Sequence, residues 1–172
     1  RCCSSAAAGV DKRRDYNTVF KFDLAGNLTW SKEFSSDDVL YGASLSETKF
    51  GDLEVNGFVR GSLNADSYFY NTAQIEGCQE LEPYALWLDP KNGNVTSLRT
   101  GFMTMPFSAA QNNAVTVFAG SENGELVVRS HLQDEPIVRI DKSGDPFDFG
   151  YNTKMSFGRE SLYIADISNC LL

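Results

Sequence analysis

Val19-Phe20-Lys21-Phe22-Asp23-Leu24-Ala25-Gly26-Asn27-Leu28-Thr29-Trp30 is the stretch on which the fold turns. An apolar run alternating with polar residues meets an Asp and a Gly, and a second alternating run follows. Such a stretch reads as two strands joined by a tight turn. The Asp side chain can accept from the turn's own amides, and Gly supplies the positive φ that closes it. The same order recurs in Ala85-Leu86-Trp87-Leu88-Asp89-Pro90-Lys91-Asn92-Gly93-Asn94-Val95-Thr96 and in Ile137-Val138-Arg139-Ile140-Asp141-Lys142-Ser143-Gly144-Asp145-Pro146-Phe147.

A second pattern interleaves with the first. Leu53-Glu54-Val55-Asn56-Gly57, Val115-Thr116-Val117-Phe118-Ala119-Gly120 and Leu162-Tyr163-Ile164-Ala165-Asp166 read as one inner strand used three times. A shorter strand precedes each, at residues 40–45, 107–110 and 154–157. Asp23, Asp89 and Asp141 lie 66 and then 52 residues apart, whereas Val55, Val117 and Ile164 lie 62 and then 47 apart. Both series make the middle unit about 15 residues longer than the next. The surplus fits best between Asn64 and Glu82, as an extra loop holding Tyr68, Phe69, Tyr70 and Cys78. A further turn at Glu122-Asn123-Gly124 joins 115–121 to 125–132. No stretch keeps a helical apolar stripe over three turns; residues 38–50 come closest, with Gly42 inside them.

A period near 50 residues with four strands per unit is the pattern of a β-propeller blade, which must stack on neighbours to cover its two apolar faces. The expected fold is therefore all-β, with blades of four antiparallel strands and about three blades' worth of chain: a partial ring or part of a larger propeller. Residues 1–16 are expected to form a flexible N-terminal tail and 17–172 the blades. Within these, 17–35 are the outer strands of one blade, 39–103 and 107–150 are whole blades, and 154–167 are the inner strands of another. Trp30, Trp87, Phe20, Phe22, Tyr41 and Phe58 are expected to pack between blades.

The run Asp38-Val39-Leu40-Tyr41-Gly42-Ala43-Ser44-Leu45, then Gly51-Asp52-Leu53-Glu54-Val55-Asn56-Gly57-Phe58, with the hairpin ending in Trp30-Ser31-Lys32, resembles the bacterial-type surface β-propeller repeat labelled SBBP. The resemblance spans roughly residues 17–166, with irregular blade lengths and a long middle loop as departures. It implies an extracellular or cell-surface location and a structural or binding role, with no catalytic residues to carry over. The rival expectations are the non-catalytic part of a secreted enzyme such as a glycoside hydrolase, or a subunit of an extracellular assembly.

Charge narrows the partners. Fifteen Lys and Arg against 23 Asp and Glu leave a net charge of -8, which opposes encounter with nucleic acid or an anionic bilayer. The basic run Lys12-Arg13-Arg14 reads as part of the solvated tail. No apolar run has the ~18 residues of a membrane helix. The chain opens on Arg1 without a charged-then-apolar leader, so it is expected to be processed or trimmed. The partners left are a protein or a glycan, and further blades of the same protein or a second copy completing the ring.

The chemistry-bearing residues are few. Cys2, Cys3, Cys78 and Cys170 allow three disulfide connectivities; Cys78 and Cys170 are each expected to find a partner, with buried free thiols as the alternative. Asn27-Leu28-Thr29 and Asn94-Val95-Thr96 are sequons in turns, so Asn27 and Asn94 are candidate N-glycosylation sites. His131 stands in Arg129-Ser130-His131-Leu132, read as a strand end with a polar loop, and no Gly-x-Ser-x-Gly elbow accompanies it. Asp37, Asp38, Asp134, Glu135 and Asp148 fall in expected loops as solvated carboxylates. The oxygen-rich turns at Asp89 and Asp141 lack the spacing of an EF-hand, and no phosphate cradle occurs, so no metal, cofactor or catalytic residue is expected. Tyr68, Phe69 and Tyr70 are the candidate binding loop.

Overall fold

The computed structural model describes residues 15–75, 78–101, 106–112, 115–122, 125–140, 153–158 and 161–166. All regular structure among them is strand, in antiparallel sheets. In chain order the strands are β1 (Asp15–Phe22), β2 (Leu28–Ser36), β3 (Val39–Glu47), β4 (Leu53–Arg60), β5 (Ser62–Ala65), β6 (Tyr68–Asn71), β7 (Gln74–Ile75) and β8 (Cys78–Gln79). They continue with β9 (Glu82–Leu88), β10 (Val95–Thr100), β11 (Pro106–Gln111), β12 (Thr116–Glu122), β13 (Glu125–Ser130), β14 (Val138–Ile140), β15 (Thr153–Phe157) and β16 (Leu162–Asp166).

The turn chemistry works as the sequence predicts. Asp23 Oδ1 accepts from the amides of Ala25 (2.9 Å) and Asn27 (2.8 Å), and Gly26 takes φ +86° between β1 and β2. Between β9 and β10, Asp89 Oδ1 accepts from Lys91 N (2.8 Å) and Gly93 takes φ +74°. The turn at Asp141 lies outside the described residues. The paired inner strands emerge as the hairpins β3–β4, β11–β12 and β15–β16, and Glu122 faces Glu125 across the β12–β13 hairpin.

Three sheets have four strands: a first sheet in the order β1-β2-β5-β6, a second in the order β3-β4-β9-β10, and a third in the order β11-β12-β13-β14. The pairs β15–β16 and β7–β8 are two-stranded. The surplus of the middle unit is therefore not one long loop. Its residues 62–71 form the β5–β6 hairpin, which runs back to complete the sheet begun by β1 and β2. The first strand begins at Asp15, inside the span expected as tail.

The sheets stack face to face, and alternation assigns each strand's two faces. Phe34, Leu63 and Ala65 of the first sheet meet Leu40, Val55, Val59, Tyr84, Leu86 and Leu88 of the second in one buried cluster. The opposite face of the second sheet sends Phe58 against Phe118 and Val127 of the third. The third sheet's other face packs Val117, Ala119, Leu126 and Val128 on Met155, Phe157, Leu162 and Ile164 of β15–β16. Throughout the stack the first strands adjoin: β1 lies beside β3, β3 beside β11, and β11 beside β15.

Of the aromatics expected between sheets, Trp30 and Phe58 pack there, and Trp87 faces the third sheet over His131. Phe20, Phe22 and Tyr41 are more than half exposed. Phe20 and Phe22 share the outward phase of β1 with Tyr16, so alternation turns them away from the second sheet.

Candidate functional site

Two places concentrate chemistry among the described residues: the outward face of the first sheet and the seam between the second and third sheets.

The strand that carries the predicted binding residues borders the outward face. Tyr68, Phe69 and Tyr70 occupy strand β6 rather than a loop, so successive side chains point to opposite faces. The Tyr68 hydroxyl donates to Thr96 O (2.7 Å) and the Tyr70 hydroxyl to Glu82 Oε2 (2.5 Å), tying both to the second sheet. Burial and the neighbouring Glu82 carboxylate hold the Tyr70 phenol above its usual range. Phe69 alone of the three faces solvent, 62% exposed. It overlooks an open groove of about 510 Å³ lined also by Ser35, Ser36, Asp37, Ser62, Asn64 and Asn71. The groove lies where β2 and β5 are bridged by one residue pair, Ser35 with Asn64. Its carboxylate is engaged: Asp37 Oδ1 accepts from Ser62 N at 2.6 Å.

Sequence reasoning missed the second place. Glu54 and Asn56 lie on the phase of β4 that faces the third sheet, and both are buried with Thr116 and His131. The Thr116 hydroxyl donates to Glu54 Oε1 (2.7 Å) and accepts from Asn56 Nδ2 (3.3 Å). His131 Nδ1 lies 3.2 Å from the Thr116 carbonyl, which can only accept, so the ring carries its proton there. Nε2 then points its lone pair toward Glu54 Oε1, 3.7 Å away. The Trp87 ring packs on the imidazole at 5.4 Å between centroids. Burial lowers the His131 pKa below its ordinary 6.5; Glu54 pulls it up and Arg99 pushes it down. The arrangement has the members of an acid–base pair, yet His131 is 2% exposed and Glu54 5%. The chemistry it can do is to hold two sheets in one register. The sequence signal was Glu and Asn standing in an otherwise apolar inner strand.

The remaining candidates scatter. Asn27 and Asn94 both sit in exposed hairpin turns, Asn27 donating from its amide to Asp23 Oδ2 (2.9 Å). Asp38 pairs with Arg60 (2.6 Å) and Asp134 with Arg99 (3.0 Å). Cys78 is on β8, while Cys2, Cys3, Cys170 and Asp148 lie outside the described residues. Among the described residues no three His, Cys, Asp or Glu side chains are grouped to hold a metal, and no helix is long and apolar enough to cross a membrane. No protein-family model, curated protein or solved structure matches the chain.

Proposed function

We propose that this chain is a non-catalytic structural and binding module built from β-propeller blades of the SBBP-like surface type, working outside the cell or at its surface. The observation that carries the reading is the order of the stack. Each four-stranded sheet covers the next, and at every step the first strands, β1, β3, β11 and β15, adjoin, with the outer strands β6 and β10 also touching at the first step. Blades fanned about an axis place their innermost strands side by side in this way, whereas a two-sheet sandwich offers no such series. A scaffold role also suits a Glu54–His131 pair closed off from solvent and aromatic side chains held outward on the first sheet.

An experimental structure of the chain, by crystallography or by cryo-electron microscopy with a bound antibody fragment, tests the reading. The expected result is four sheets fanned about a common axis with β1, β3, β11 and β15 innermost. Parallel, unfanned layers would overturn it.

A further inference from the structure

Register places one row of four side chains across the outward face of the first sheet. Tyr16 pairs with Ser35, Ser35 with Asn64, and Asn64 with Phe69, and residues opposite one another on neighbouring strands stand on the same face. The row therefore has an exposed aromatic ring at each end, Tyr16 (52%) and Phe69 (62%), and a hydroxyl and an amide between them. Three strand spacings set the two rings about 14 Å apart. Phe20 and Phe22, stacked at 6.4 Å, extend the apolar surface along β1 on the same side.

We propose that this row, with its groove, is a binding platform for a neutral oligosaccharide. The ligand class follows from what the face offers. A pyranose ring presents C–H groups on its faces and hydroxyls on its rim, so it asks for exposed aromatic rings flanking hydrogen-bonding groups that both donate and accept. Ser35, Asn64, Ser62 and Asn71 supply those groups inside the groove. Charge is scarce although the chain carries -8: Glu33 opposite Thr18 is the acid on the outward phase of β1–β2, and the Asp37 carboxylate already holds Ser62 N. Among the described residues that line the groove none is cationic, so a phosphate or polyanion finds no partner among them.

A packed sheet with an apolar face is the wrong occupant for the same row. The second sheet puts aliphatic Val55, Val59 and Leu86 at the central positions of the face turned to the first sheet, and where its other face buries Glu54 and Asn56 the third sheet supplies Thr116 as their partner. Covering Ser35 and Asn64 with an apolar layer would strip their water without replacing its hydrogen bonds, a penalty that a sugar hydroxyl avoids. The proposal deepens the reading of the chain as a binding module, and it requires that no further blade packs on the outward face of the first sheet.

Titration calorimetry of the full chain with gluco-, xylo- and manno-oligosaccharides of three to six units tests it, with an oligogalacturonate as the anionic control. The expected result is saturable binding of at least one neutral series. Tyr16→Ala and Phe69→Ala should each weaken it about tenfold, the factor carried by 1.4 kcal/mol. Asn64→Ala should weaken it as well, and Phe69→Trp should retain it. Both rings are exposed, so these variants keep their circular dichroism and melting temperature. Binding to no neutral series overturns the proposal, as does binding that both alanine variants leave unchanged. So does a concentration-dependent dimer that the same variants dissolve, because the face then belongs to a second copy. Failure of the blade reading shows itself separately, as unfanned layers in the experimental structure with sugar binding intact.

Discussion

The two long seams of this molecule are built on opposite principles. Between the first and second sheets the chain buries Phe34, Leu63, Val59, Leu86 and Leu88, and polar groups stay at the margin. Asn17 marks that margin: its amide oxygen accepts from the Tyr84 hydroxyl (3.3 Å) and from Gly42 N (2.9 Å). Burial of Tyr84 pushes its phenol up to about 12. Between the second and third sheets, Phe58 and Phe118 meet edge to face at 6.1 Å beside Val127, and Glu54, Asn56, Thr116 and His131 are buried in the same seam. Apolar burial supplies free energy without direction, while a buried hydrogen-bond network supplies direction at the cost of desolvation. The first seam is therefore expected to hold the fold together, and the second to fix how two sheets are placed.

That contrast breaks most visibly at Phe34, 1% exposed in the apolar seam. Phe34→Ala should cost about 3–5 kcal/mol in urea unfolding, through lost transfer energy and the cavity left behind. A loss under 1 kcal/mol would mean that the first seam is not the main core. Next comes Gly57, over which the Tyr84 ring lies: an added Cβ would run into the Tyr41 carbonyl and lie 2.6 Å from the Tyr84 hydroxyl. Gly57→Ala should cost about 3 kcal/mol by overpacking, read as a lowered urea midpoint with an unchanged slope. In the polar seam, Thr116→Val removes the hydroxyl that joins Asn56 to Glu54 and should cost about 2 kcal/mol for the groups left unpaired. A neutral outcome would show that the network contributes no stability.

The smallest effect is the most selective. Because folding lowers the His131 pKa, the unfolded chain takes up this proton first as pH falls. The associated stability is fully present above the unfolded value of about 6.5 and is lost as pH drops below it. Unfolding midpoints taken from pH 7.5 to 5.5 should decline, and His131→Gln should flatten that decline. An unchanged slope in the variant would assign the acid sensitivity elsewhere.

Local structure was the legible part of this chain. Asp23 with Gly26 and Asp89 with Gly93 announce their turns because both the cap and the positive φ lie within five residues. The partnership of β5 with β2 was not legible, since it rests on the single pair Ser35 with Asn64, from units read as separate blades. For the candidate site, Phe69 was singled out, but in company with Tyr68 and Tyr70, because reading a loop there hid the alternation that sends those two inward. His131 read as a strand end with a polar loop beside Leu132-Gln133-Asp134-Glu135, whereas Trp87 and Glu54, 44 and 77 positions earlier, enclose it. Pairings that depend on what a distant sheet brings leave no trace in a window of a dozen residues.

The β5–β6 hairpin has a consequence for how such a chain can change. Asp66 at its tip pairs with Lys32 of one sheet and accepts from Val95 N (2.9 Å) of the next, so the hairpin stitches neighbours together like a lapped seam in cloth. Cutting the gene between β2 and β3 would leave one product with half a layer and the other with a dangling flap. Duplication or shuffling of the first two sheets must then proceed as one overlapping pair, and a ribosome finishes the first layer only after the second is under way.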